Sequence, residues 1–131
     1  MKSSGVLVAR WLAVVLLAVL LLPPGFALYR FGWMAIGSGV AGAASLLTFV
    51  LYRIDKRRAQ AAAWRIPEAW LQLTAAFGGW PGAWVAQRFL RHKNRKVGFQ
   101  IVYWLIVTAH EIAAIDLLRG GVWWQALRRW S

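Results

Sequence analysis

The chain has 131 residues, 60% of them hydrophobic, and it carries 16 Lys and Arg against 4 Asp and Glu, a net charge of +12. The apolar share exceeds the roughly 45–50% of a typical soluble domain, and the length suits one domain of three or four membrane spans. The absence of cysteine excludes disulfides, thiolate chemistry and cysteine-ligated metals. Composition therefore predicts a single all-α integral membrane domain over residues 1–131, with anionic partners.

The first two hydrophobic segments are free of charge over lengths typical of a membrane helix. Residues 11–29 predict a retained first span, and the alternative is a cleaved signal peptide that ends near Pro23 and Pro24. Residues 31–52 predict the clearest span. Small residues recur there at every fourth position, which predicts close packing of another helix, within the bundle or across a dimer seam. They form two rows, Gly37, Ala41 and Ser45, and Ala35, Gly39 and Ala43.

A basic segment, residues 53–65, follows the second span and contains five Lys and Arg, with Asp55 as its only acid. Such a segment is typical of a cytoplasmic flank that fixes orientation. The spacing of Asp55 and Arg58 predicts a pair on an exposed helix surface, worth about 0.2–0.5 kcal/mol. Pro67 followed by Glu68 predicts a helix start.

Residues 69–87 are charge-free and just long enough to cross a membrane, but a glycine-rich turn interrupts their middle. If they cross, ten Lys and Arg lie inside and six outside; if they turn back, the split is twelve and four. The positive-inside rule favours a re-entrant helical hairpin over four transmembrane helices. We expect the small-residue face of residues 31–52 to cover the turn. The residues predicted to form the turn are Gly78, Gly79, Pro81 and Gly82. We expect the three glycines to adopt a positive φ there.

A second basic segment, residues 88–96, adds five more Lys and Arg. Helical spacing predicts that it extends the second half of the hairpin as a cationic helix. One face would carry Arg88, Arg91, His92 and Arg95, with Lys93 and Lys96 on another.

The last part of the chain predicts one more span and a short amphipathic helix. Residues 97–118 form the span, although they contain His110, Glu111 and Asp116. Residues 122–130 predict an interfacial helix, because Trp123, Leu127 and Trp130 fall on one helical face and the polar residues fall elsewhere.

Four blocks in the same order resemble one family of small bacterial membrane proteins. The blocks are YRIDKRRA from Tyr52, WRIPE from Trp64, GGWPG from Gly78 and RHKNRK from Arg91. The family is domain of unknown function 1294, also labelled cold-shock-type membrane proteins, and the resemblance covers about residues 33–118. It implies a multi-pass bacterial inner-membrane protein with no established activity. The nucleic-acid-binding label of some members belongs to a cold-shock domain, which the apolar residues before Arg53 do not resemble.

The sequence contains few residues suited to an enzyme active site. His92 and His110 are 18 residues apart, about 27 Å along a continuous helix, so they cannot share a metal within a monomer. We therefore predict no metal and no cofactor. Ionisable groups within a span often mark a polar pathway or a buried pair. His110 and Glu111 lie in the predicted last span, and together with Asp55 and Glu68 near the re-entrant hairpin they are a possible polar site.

We predict a non-enzymatic inner-membrane protein whose basic cytoplasmic surface contacts anionic lipid headgroups. One alternative is a small transporter or membrane enzyme subunit with its polar site at the re-entrant turn. Another is a membrane tether for nucleic acid, with Trp64 available for stacking. The sequence also leaves open two further partners, a second copy of the chain in a homo-oligomer or another membrane protein. The candidate lipid-binding residues are Arg57, Arg58, Arg65, Arg88, Arg91, His92, Lys93, Arg95 and Lys96.

Overall fold

The structure is a computed structural model that describes residues 2–93 and 95–130, with side chains from residue 5 onward. Within these residues the chain is all-helical and contains no strand. A π-helical turn, Ala75–Gly79, joins the third and fourth helices. The helices are α1 (Lys2–Arg30), α2 (Met34–Gln60), α3 (Glu68–Thr74), α4 (Trp80–Phe89), α5 (Val97–Leu118) and α6 (Val122–Arg128).

Three helical stretches are long and apolar enough to cross a membrane: Gly5–Arg30, Met34–Gln60 and Val97–Leu118. Many of their large apolar side chains face outward, and Ile36, for example, is 76% exposed. Because long apolar helices with apolar exteriors are matched to lipid rather than water, these three indicate membrane association. α2 continues eight residues beyond the predicted end at residue 52, so it carries most of the first basic segment.

α3 and α4 form a helical hairpin alongside α2. The chain enters the hairpin beside the end of α2, where the Ile66 N–H donates to the Asp55 carboxylate at 3.2 Å. The turn lies against Ala41, about 21 Å away along α2 at 1.5 Å per residue. α4 then returns, and the Leu90 carbonyl accepts a hydrogen bond of 2.6 Å from the Lys56 ammonium.

The hairpin packs on one small-residue row of α2. Added methyl groups at Gly79 and Gly82 would overlap the α2 backbone at Ala44 and Ser45 respectively. Gly37, in the same row as Ser45, instead meets Leu28 of α1. This row therefore packs within the molecule, which is one of the two arrangements predicted for it; the other was a dimer seam. The other row, Ala35, Gly39 and Ala43, is exposed.

The glycines of the turn do not all serve the purpose predicted for them. Only Gly78 has a positive φ, 100°, whereas Gly79 has φ −83° and Gly82 lies inside α4. The positive-φ prediction is thus wrong for Gly79 and Gly82, which are needed for close helix approach. Pro81 sits in the first turn of α4, where its missing N–H costs no helical hydrogen bond.

The core lies between α2, the hairpin and α5. Its largest members are Tyr52, Leu71, Trp80, Trp84, Phe99 and Tyr103. The Tyr103 hydroxyl donates to the Trp80 carbonyl at 3.1 Å, which ties α5 to the start of α4. α1 packs mainly on α5 and α2, so it leaves an open groove beside α4.

The second basic segment is not the helical extension predicted from its spacing. α4 ends at Phe89, and the following loop places Arg91 at φ 50° and Lys93 at φ 65°. Periodicity failed here because contacts with α2 decide the path: the Leu90 carbonyl is bound by Lys56, and the next residues turn toward Asp55.

Candidate functional site

A buried carboxylate gathers the two basic segments at the carboxyl end of α2. Asp55 is fully buried, because it continues the inward stripe of α2 that contains Thr48 and Tyr52. One of its oxygens, Oδ2, lies 2.7 Å from His92 Nε2 and accepts a hydrogen bond from the Arg65 guanidinium at 3.1 Å. The Asp55 carboxylate therefore links three segments of the chain.

This arrangement overturns the predicted surface pair of Asp55 and Arg58. Asp55 faces the core, and the Arg58 guanidinium instead lies 5.6 Å from the centre of the Trp64 ring. A run of charges normally marks a solvated helix face, but here the single acid of the run points inward. Its partners lie 10 and 37 residues away along the chain, out of reach of local spacing rules.

Glu68, the first residue of α3, adds a second link. Its carboxylate oxygen lies 2.5 Å from both Lys93 Nζ and Lys96 Nζ, and Lys93 Nζ is also 4.0 Å from Asp55. Hydrogen bonds from Lys93 and Lys96 lower the pKa of the Glu68 carboxyl below its ordinary value. The entry and the exit of the hairpin are thus bound together. We call this end of the molecule, where α2 ends and α5 begins, the Asp55 end.

A row of polar side chains lies behind these ion pairs. Gln100 Nε2 donates to Gln87 Oε1 at 2.7 Å, and Gln87 Nε2 donates to the Tyr52 hydroxyl at 3.1 Å. Gln87 is only 2% exposed. Sequence reasoning missed this row, although glutamines near the ends of apolar segments were an available signal. The row makes the polar cluster continuous from α2 through α4 to α5.

The nine predicted lipid-binding residues divide into two groups. Arg65, His92, Lys93 and Lys96 contact Asp55 or Glu68 and thereby hold the fold together. The other five reach the surface at the Asp55 end without contacting either acid: Arg57, Arg58, Arg88, Arg91 and Arg95.

An open groove separates α1 from α4 and the loop after it. Two adjoining cavities, of about 480 and 680 Å³, form this groove. We call it the arginine groove, because its described lining contains four arginines and no acidic residue: Arg10, Arg88, Arg91 and Arg95. Sequence reasoning missed Arg10, since nothing in the local pattern places α1 opposite α4.

The four residues of the predicted polar site do not come together. Asp55 and Glu68 lie at the Asp55 end, whereas His110 is about 20 Å along α5 from Val97. His110 lines a largely apolar cavity of about 610 Å³ beyond the hairpin turn. The Glu111 carboxylate has a buried oxygen with no hydrogen-bond partner among the described residues. No group of three potential metal ligands occurs in the described part of the chain.

These features define a class, namely small helical proteins with three candidate membrane spans and a short hairpin held by ion pairs around a buried carboxylate. Residues 45–99 match the family model described as a protein of unknown function (DUF1294). The match confirms the resemblance predicted from the sequence blocks, over a shorter stretch than residues 33–118. It contains Asp55, the whole hairpin and both basic segments.

One curated relative is the uncharacterized protein YsdA of Bacillus subtilis (strain 168), which is 39% identical over 56 residues. The aligned stretch covers 43% of this chain and 63% of YsdA, so the chain spans less than two thirds of that relative's length. No solved structure matches the chain.

Proposed function

We propose that this chain is a multi-pass protein of the bacterial inner membrane that binds anionic lipid headgroups at its Asp55 end. The observation that carries the proposal is the ion pairing of Asp55 and Glu68 with residues 92–96. Because those contacts fasten both basic segments to one end of the molecule, their exposed cations act on one membrane surface.

The hairpin, in this proposal, enters the membrane from the Asp55 end and turns back within it. Each arm has 10 to 12 residues, from Glu68 to Gly79 and from Trp80 to Phe89, or about 15–18 Å of helix. That length reaches roughly the middle of a 30 Å hydrocarbon core. α2 covers the turn on one side, and Phe77, 71% exposed, meets lipid on the other.

The orientation follows from the charge distribution. Twelve Lys and Arg belong to segments that meet at the Asp55 end, and the remaining four belong to the opposite end. The positive-inside rule then makes the Asp55 end cytoplasmic. The four cations of the opposite end are Arg30, Arg119, Arg128 and Arg129.

Anionic lipid is the ligand that this surface suits best. A cation near the headgroups contributes about 1 kcal/mol of binding free energy. Trp11 and Trp64, 69% and 72% exposed, lie near the same end and fit the interfacial position that tryptophan prefers. In this proposal, the five cations that contact neither acid lie at the level of the headgroup phosphates.

A matched pair of variants tests the proposal. One replaces Arg57, Arg58, Arg91 and Arg95 with Gln; the control replaces the four cations of the opposite end. Both lose four charges, and both are extracted from bilayers of phosphatidylglycerol and phosphatidylethanolamine for measurement of bound lipid. We expect only the first variant to retain less phosphatidylglycerol than the parent.

Equal loss in both variants, or no loss in the first, overturns the proposal. Preferential retention of single-stranded RNA over phosphatidylglycerol by the parent protein would favour the membrane tether instead.

A further inference from the structure

We infer that the arginine groove holds a single anionic phospholipid, with its phosphate among the arginines and an acyl chain along the apolar floor. This inference rests on the proposed function and narrows it from a charged surface to one site. It also gives α1, which lies outside the matched residues 45–99, a part in lipid binding.

Charge complementarity is the first argument. Three arginines, Arg10, Arg88 and Arg91, line both cavities of the groove, and Arg95 lines the first. Arg10 comes from α1 and the other three from the second basic segment, and no carboxylate in the described lining offsets their charge. A guanidinium presents two parallel N–H donors that match a phosphate, so a cluster of them favours a phosphate ligand.

The second argument is that one of these arginines is already positioned. The Arg88 guanidinium lies 3.4 Å from the ring centre of Trp84, a cation–π contact. Trp84 is 2% exposed and meets Trp104 edge-on at 5.5 Å, so its ring cannot move freely. Stacking uses the face of the guanidinium and leaves its N–H edge for a ligand. Binding then loses less side-chain entropy than it would with a free arginine.

Like a phospholipid, the groove is charged at one end and apolar along the rest of its length. Below the arginines it is lined by apolar side chains, and the α1 part runs from Arg10 to Leu17, about 10 Å deeper at 1.5 Å per residue. The cavity that reaches Leu17 has a volume of about 680 Å³, which is typical of a small-molecule pocket. A free phosphate would leave this floor empty, whereas a lipid fills both parts. The apolar floor contains Val14, Leu17 and Val85, and Phe89, the last residue of α4, adds an apolar side chain next to Arg88.

A charge test distinguishes this site from the general surface. Arg10→Gln with Arg91→Gln removes two groove cations, and Arg53→Gln with Arg57→Gln removes two exposed cations elsewhere at the Asp55 end. Native mass spectrometry from phosphatidylglycerol-containing bilayers counts the lipids that stay bound. We expect the groove variant to weaken retention of one lipid on the order of 30-fold, at roughly fivefold per cation. The control should retain that lipid.

A shape test leaves every charge in place. Val14 and Val15 are adjacent on α1 and similarly exposed, at 58% and 56%, but only Val14 lines the groove. Val14→Trp fills the floor and should expel the lipid, while Val15→Trp should keep it. Inorganic phosphate is added as a separate probe, and its binding should be weak in the parent and unchanged in Val14→Trp.

The outcomes separate the two levels of the proposal. Equal lipid loss in both arginine pairs, or retention in Val14→Trp, overturns the single site and leaves the basic surface standing. No lipid loss in any arginine variant overturns both. Phosphate binding as strong as lipid binding would make the ligand a free anion and overturn the lipid assignment.

Discussion

His92 Nε2 lies 2.7 Å from a fully buried oxygen of Asp55, and this contact joins the loop after the hairpin to the end of α2 across 37 residues of sequence. The same oxygen binds Arg65, at the other side of the hairpin. Asp55 is therefore the point at which the hairpin closes. Any surface formed by the two basic segments depends on this closure.

Asp55→Ala should destabilise the protein by about 2–3 kcal/mol, because hydrogen bonds to a charged group are lost and the Ile66 N–H is left without its acceptor. Arg58→Gln is the matched control, since Arg58 contacts Trp64 rather than Asp55, and should cost less than about 1 kcal/mol. Thermal unfolding in detergent measures both. Unchanged melting of Asp55→Ala would refute the role of Asp55 in closure.

The helices can be predicted from the sequence wherever the sequence signal is local. Uncharged length marks the three candidate spans, and α5 occupies residues 97–118 as predicted. The glycine cluster marks the turn, and Pro67 with Glu68 marks the start of α3. These signals depend on near neighbours, which a sequence displays directly.

The candidate site is harder to predict from the sequence, because packing brings its residues together from distant parts of the chain. The prediction placed Asp55 on a solvated helix surface, since a charge run carries no sign of which residue turns inward. The inward direction becomes evident only once Tyr52 and Thr48 are known to face the core. Arg10 was missed for a similar reason: the helix opposite α1 is fixed by contacts between distant segments, not by spacing.

Gly79→Ala and Gly82→Ala should each destabilise the protein by about 1–3 kcal/mol, because an added methyl group overlaps the backbone of α2. Gly39→Ala is the control: nothing lies within 4 Å of its added Cβ, and alanine favours a helix interior by roughly 0.5–1 kcal/mol. Thermal unfolding in detergent compares the three. If both turn variants melt like the parent, their glycines serve a ligand site instead.

Gly78→Ala separates backbone strain from crowding. The space around Gly78 admits a methyl group, with Ala41 at 3.7 Å, but its φ of 100° is unfavourable for any other residue. We expect a cost of about 1–2 kcal/mol, the usual penalty for such a conformation. A simultaneous Ala41→Gly change should not restore stability, because crowding is not the cause. Restoration would contradict the strain explanation.

Glu68 gives the fold a specific pH dependence. Because Lys93 and Lys96 lower its pKa in the folded state, its stabilisation is present above the ordinary pKa of 4.5 and is lost as the pH falls through the lower folded value. The side chain is 34% exposed, so water screens the pair and the effect is about 0.5–1 kcal/mol. Glu68→Gln should melt below the parent at neutral pH, and the gap should narrow as the pH falls below 4.5 and close once acid has protonated Glu68 in the folded protein. A gap that persists in acid would contradict this account.

The side of the membrane on which the two basic segments lie is the premise of both lipid proposals, and the absence of cysteine makes it directly measurable. Single cysteines at Ala61 and Arg95 lie before and after the hairpin, and one at Trp130 reports the opposite end. In whole cells, an impermeant thiol reagent should label Trp130→Cys and leave Ala61→Cys and Arg95→Cys unlabelled. In inside-out vesicles the pattern should reverse, which controls for accessibility. Labelling of Arg95→Cys in cells, with Trp130→Cys unlabelled, would make residues 69–87 a true span. Such a span is incompatible with the contacts of Glu68 with Lys93 and Lys96 and would remove the shared basic surface.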